Sequence, residues 1–199
     1  MFSLEDLLGQ QQGADTTNEI SQMIGANPTE TSSAIQLALP VILSTLAKNA
    51  AQPQGAESLA NTLQKNHDGG LLSNLSDYLT GSTSNPNDSI GILGHIFGQK
   101  QGAVANEISR NSGLDMGQIA KILIVLAPIV MAYLGRQKQT QNLDANGLSN
   151  LLNEKQEQIQ SADNSILGKI TSLIDSNQDG NSMDDIASLA ANYMARNNS

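Results

Sequence analysis

The sequence predicts an all-α protein: two tandem helical repeats packed as a pseudo-two-fold bundle, followed by an EF-hand-like helix–acidic loop–helix. Three observations lead there. Aromatic residues make up only 3% of the 199 residues and Trp is absent. The core must therefore be aliphatic, a palette that suits helices better than a sandwich or barrel. No convincing stretch alternates apolar and polar residues with a period of two. Finally, GQQQGADTTNEIS, Gly9 to Ser21, returns as GQKQGAVANEIS, Gly98 to Ser109.

Aligned on the shared Asn-Glu-Ile-Ser, Asn18 meets Asn106 at an offset of 88. The same offset pairs Gly25 with Gly113, Pro40 with Pro128 and Leu46 with Leu134. Upstream, Gly9 and Gly13 pair with Gly98 and Gly102 at an offset of 89. That offset resumes downstream, where Leu59, Asn61 and Leu63 pair with Leu148, Asn150 and Leu152. A match held in register over this length points to internal duplication.

Each copy opens with a short helix, around Ser3 to Leu8 and around Ser89 to Phe97, ending near Gly9 or Gly98. The Gln-rich stretch that follows reads as a polar link into a second short helix around Ile20 or Ile108. Gly25 and Gly113 suit a left-handed C-terminal turn and stop that helix. A long apolar helix comes next, from Pro28 to about Lys48 and from Met116 to about Arg136. Asn27-Pro28-Thr29-Glu30 reads as a capping box with Pro at the first helical position, and Asp115 and Gln118 fill the same roles in the second copy. Lys48 and Arg136 close the long helices where the dipole favours a cation.

Pro40 and Pro128 sit midway along these helices and predict kinks, because an interior Pro removes a hydrogen bond and clashes with the preceding turn. The flanking runs IQLALPVILSTLA and KILIVLAPIVMAYLG are apolar on most faces, so both helices should be buried and cross at the centre. GSTSNPND, Gly81 to Asp88, and RQKQTQN, Arg136 to Asn142, read as solvated linkers. The expected organisation is repeat one over 1–80, a linker over 81–89, repeat two over 90–160, and the helix–acidic loop–helix over 161–199.

Charge narrows the function. A net charge of −9 argues against a nucleic-acid backbone and against an anionic membrane surface as partner. The helix–Gly–capped-helix unit resembles a helix-turn-helix, but its front carries Thr29, Glu30, Thr31, Ser32 and Ser33 in one copy and only Lys121 as a cation in the other. Cys is absent, so disulfides and thiolate chemistry are excluded. Glu5 and Asp6 stand where a secretory leader would carry a cation, which leads to the expectation of a cytoplasmic protein. The most apolar run, Ile122 to Gly135, has 14 residues, fewer than the roughly 20 of a spanning helix. No transmembrane segment is expected. His67-Asp68 and His95 read as loop and helix residues, since neither has a nucleophile or ligand set beside it.

The sharpest local motif is DSNQDGNSMDD, Asp175 to Asp185. A calcium loop needs oxygen ligands at positions 1, 3, 5 and 7, Gly at 6 for the sharp turn, and an acidic residue closing the ring. Asp175, Asn177 and Asp179 fill the first three, Gly180 the turn, and Asn181 could offer its backbone carbonyl. Position 12 is Ile186, so closure falls to Asp184 or Asp185, one or two residues early, with Asp185 the favoured ligand of a shortened loop. Ile166, Ile170, Leu173 and Ile174 before the loop, and Ile186, Leu189 and Tyr193 after it, supply helical flanks. The unit is similar to a single EF-hand that would bind Ca2+ weakly, the alternative being an Asn/Asp turn that needs no metal.

Several stretches resemble the bacterial family filed as domain of unknown function 937, with its YidB-like proteins. They are Lys48-Asn49-Ala50 with Pro53 and Gly55, His67-Asp68-Gly69 before Leu71-Leu72, Ile92-Leu93-Gly94-His95-Ile96-Phe97-Gly98, and Leu126-Ala127-Pro128. The acidic loop is also similar to that of some members. The resemblance implies a small helical bacterial protein and carries no activity with it. The expectation is a non-enzymatic structural or interaction module, stabilised by calcium, whose partner is another protein or itself. The alternative is a helical module that binds a lipid or other apolar ligand beside the Pro-containing helices.

Overall fold

The computed structural model describes residues 3–67, 69–80 and 86–160. Every regular element among them is helical: α1 (Leu4–Leu8), α2 (Gln10–Ile24), α3 (Pro28–Ala50), α4 (Pro53–Asn66), α5 (Gly70–Ser73), α6 (Leu75–Leu79), α7 (Pro86–Phe97), α8 (Gln101–Ser112), α9 (Met116–Thr140) and α10 (Ala145–Gln160), with a 3-10 turn at Gly98–Lys100. The acidic loop and its ligands Asp175, Asn177, Asp179, Asn181 and Asp185 lie outside the described residues, as does Asp68.

α3 and α9 pack against each other at the centre. From Ala38 to Ala47 every residue of α3 is buried, and so is every residue of α9 from Val125 to Gly135. Helical structure runs through Pro40 and Pro128 in both. α9 has the length and hydropathy of a bilayer span, but 72% of its most apolar window is enclosed by the fold.

The packing is partly crosswise. α10 lies on α3 and α5 on α9, while α2, α4 and α8 each pack on both long helices. Apolar side chains from both halves thus enter one core, including Leu63 of α4 and Leu148 and Leu152 of α10. Gly25 (φ 68) and Gly113 (φ 83) both end their helices in the left-handed conformation.

Several local expectations are corrected. The Gln-rich stretch is the first turn of α2, whose 15 residues begin directly after Gly9. Gln is a good helix former, and Gln11 Nε2 donates to Asp15 one turn later at 3.1 Å. Close packing fixes this start: a Cβ on Gly13 would lie 2.5 Å from the Glu5 backbone nitrogen in α1. RQKQTQN is no linker either. α9 continues to Thr140, helped by Gln141 Nε2 donating to Gln137 Oε1 at 2.6 Å, and Asn142 (φ 50) follows the helix end.

α7 begins at Pro86, inside the expected linker 81–89, because Pro is pre-organised for a first helical position. At the start of α3 the Thr29 N–H donates to Asn27 Oδ1 at 2.8 Å, but no bond from Glu30 returns to close a capping box. Glu30 Oε1 instead lies 3.6 Å from where a Cβ on Gly113 would sit. In α9 the box forms in full: Gln118 N–H donates to Asp115 Oδ1 (2.9 Å) and Asp115 N–H to Gln118 Oε1 (3.1 Å).

Candidate functional site

α4 and α7 form the walls of a groove of about 920 Å³, with Leu46 and Asn49 of α3 and Met131 of α9 at its base. Local sequence sets each wall. Pro53 starts α4 two residues after α3 ends, so the chain must turn back tightly. Gly55 makes that possible, since a Cβ there would overlap the Asn49 carbonyl oxygen. On α7, Asp88, Gly91, Ile92, His95 and Ile96 follow the i, i+3, i+4, i+7, i+8 spacing of one helix face, and all line the groove. Asn49 Nδ2 donates to the Ile96 carbonyl at 3.4 Å and ties the base to this wall.

The lining is mixed. Leu46, Leu59, Ile92, Ile96 and Met131 give it an apolar component. Ser58, Thr62 and Asn66 on the α4 side and Asp88 and His95 on the α7 side add hydrogen-bonding and charged groups. Thr62 Oγ1 donates to the Ser58 carbonyl at 2.9 Å, which orients that hydroxyl.

Both histidines of the chain line this groove, one from each wall: His67 caps the end of α4, and His95 sits on α7. Sequence reasoning treated them singly, 28 residues apart, and did not join them. What could have found the pairing is the α7 face itself, with His95 one turn from Gly91 and Ile92. Among the described residues no three His, Asp or Glu side chains gather to hold a metal.

A smaller cavity of about 260 Å³ is lined by Met23, Tyr78, Leu79, Ser89, Lys121, Ile124 and Val125. It is mostly apolar. The Tyr78 and Ser89 hydroxyls share a buried hydrogen bond of 3.3 Å at its side. Burial pushes the Tyr78 phenol above its usual pKa, and the Ser89 hydrogen bond offsets part of that rise.

Pro40 and Pro128 themselves are buried in the core and line neither space, but the apolar runs around them do: Leu46 and Met131 line the groove, and Lys121, Ile124 and Val125 line the smaller cavity. No curated protein and no solved structure matches the chain. One family model does match, over residues 6–137, and it is described as a bacterial protein of unknown function (DUF937).

Proposed function

The chain belongs to the bacterial family of unknown function DUF937, and from that premise we propose a non-enzymatic interaction module that holds a protein segment in the groove between α4 and α7. The carrying observation is the lining. An apolar base beside rows of hydroxyl, amide and imidazole groups suits a peptide, whose side chains and backbone need both kinds of contact. A lipid chain would offer those polar groups no hydrogen bonds of its own, so the mixed lining favours peptide over lipid. The partner is another protein or a second copy of this chain.

Architecturally, the module is a duplicated half. The common offsets of 88 and 89 and the paired left-handed glycines support this reading. The last helix of the second copy, α10, lies on the long helix of the first, and α4 packs on both long helices.

The test is a Leu59→Glu/Ile92→Glu double variant, compared with the parent chain by light scattering after size exclusion and by affinity capture from the native host. The variant should keep its helical content and lose the bound partner or the self-association. Unchanged capture and unchanged mass would overturn the groove.

The acidic loop adds calcium to the proposal on its residue pattern alone, with Asp175, Asn177, Asp179, Asn181 and Asp185 as ligands. Calcium should raise the melting temperature relative to chelator, and Asp175→Ala/Asp179→Ala should abolish that rise. A melt that calcium does not move removes the ion from the proposal.

A further inference from the structure

The smaller cavity, of about 260 Å³, lies where α2, α6, α7 and α9 meet, and it shares no lining residue with the groove between α4 and α7. Leu79 and Val125 are buried in its wall, Ile124 is half-buried, and Met23 at its edge is 38% exposed. Tyr78 and Ser89 are buried as well, and their hydroxyls bond each other. Each hydroxyl thus has a protein partner, and neither depends on a water held in the cavity.

Lys121 is the only charged residue in this lining. α9 holds no Asp or Glu from Met116 to Thr140, so the ammonium has no carboxylate one turn away on its own helix. On the helices beside it, Glu19 accepts from Ser76 Oγ at 3.0 Å and Asp88 lines the other groove. The chain carries 19 acids against 10 cations, so a lysine on an acid-free helix is conspicuous. Lys121 is exposed, and its stem can follow the apolar wall while the charge stays in water. At the offset of 88, the positions of Lys121, Ile124 and Met23 hold Ser33, Gln36 and Asn111. Those three are what a solvated face requires. The apolar, singly charged lining belongs to one half alone.

We propose that this cavity binds a small monocarboxylate with an apolar body, its carboxylate on Lys121 and its hydrocarbon against Met23, Leu79, Ile124 and Val125. Drug-sized ligands occupy pockets of about 300–1,000 Å³, and an apolar cavity of about 150 Å³ is enough for benzene. A space of about 260 Å³ lies between them and suits a medium-chain fatty acid. A neutral hydrocarbon would fill the wall and make no use of Lys121. A protein segment would bring backbone groups that need hydrogen bonds, and this lining offers only two hydroxyls already joined to each other. An anionic bilayer meets a net charge of −9 and cannot reach walls as buried as Leu79 and Val125.

The test is a methyl NMR titration of the full chain with octanoate, kept below its micellar concentration, beside octanol and octylammonium. Octanoate should bind one to one and shift the methyl groups of Met23, Leu79, Ile124 and Val125, while Leu59 and Ile92 in the groove stay still. Lys121→Gln keeps the stem, removes the charge and lies at an exposed position, so the fold should survive it. It should weaken octanoate about fivefold, the scale of an exposed ion pair, and leave octanol unchanged. Met23→Glu should also weaken octanoate, by giving Lys121 a carboxylate of its own. The Leu59→Glu/Ile92→Glu variant should bind octanoate as the parent chain does, which keeps this site apart from the groove. Silent cavity methyls overturn the proposal. So does octanoate affinity that ignores Lys121→Gln, or octylammonium bound as tightly as octanoate. Binding to phosphatidylglycerol vesicles that needs Lys121, with no binding of octanoate, would make the site a membrane contact and overturn it as well.

Discussion

Ser149 Oγ donates to the Ala50 carbonyl across 3.0 Å, joining residues 99 apart in sequence. The last carbonyls of a helix have no partner within it. Here α10 supplies one to the end of α3, at a part-buried position. Ser149→Ala should cost about 1 kcal/mol, read as a lower urea midpoint with an unchanged slope. A midpoint that does not move would mean solvent serves that carbonyl equally well.

Gly13 and Gly102 occupy the same place in the repeated motif, yet their surroundings differ. A Cβ at Gly13 meets the Glu5 backbone at 2.5 Å, while nothing lies within 4 Å of one at Gly102. Gly13→Ala should destabilise by about 2–3 kcal/mol by forcing α1 outward. Gly102→Ala should stabilise α8 by up to about 1 kcal/mol, because Gly is a poor helix former. Paired thermal melts check both, and equal shifts of one sign would count against the difference in packing.

Thr31 Oγ1 is buried and has no hydrogen-bond partner. Its counterpart at offset 88 is Ile119, also fully buried. Thr31→Val keeps the shape and removes the orphaned hydroxyl, so it should stabilise by about 1 kcal/mol. Loss of stability instead would show that the hydroxyl is served in solution.

Burial raises the pKa of Tyr78 and of Tyr133, with hydrogen bonds to Ser89 and Gln137 opposing the shift. A raised phenol holds its proton longer in the folded state than in the unfolded one. Its contribution is therefore complete below the usual pKa of 10.0 and is lost as the pH climbs above it. The Tyr78→Phe/Tyr133→Phe variant should lose stability less steeply above that pH than the parent chain. Denaturant midpoints across the alkaline range give the comparison, and parallel slopes would exclude the two phenols as the cause.

Within the groove, Gly55→Ala and Gly91→Ala should part company. The first drives a methyl group into the Asn49 carbonyl and should push α4 off α3, lowering the melting temperature by several degrees. The second meets nothing within 4 Å and should leave the fold intact or firmer.

The long helices were legible because their signals are local. Asn27-Pro28 and Asp115 with Gln118 mark their starts, left-handed Gly25 and Gly113 close the helices before them, and unbroken apolar runs say they are buried. The start of α2 was not legible. A run of glutamines carries little apolar periodicity, and only the contact of Gly13 with α1 locks it in place. The groove escaped sequence reasoning for a similar reason. Asp88 and His95 come from α7 and His67 from the end of α4, and their meeting depends on the tight turn at Gly55, whose signal is one missing side chain.

Crosswise packing also sets a timetable. As the chain emerges from the ribosome, α3 is complete at Ala50, but the helix that covers it most extensively includes Ser149. At about 5–20 residues per second, that wait lasts about 5–20 s. During it the apolar surface from Ala38 to Ala47 lacks part of its native cover. The nascent protein therefore passes through a sticky interval that the finished molecule gives no outward sign of. Its yield in the cell should depend on chaperones that shield the first half until the second arrives.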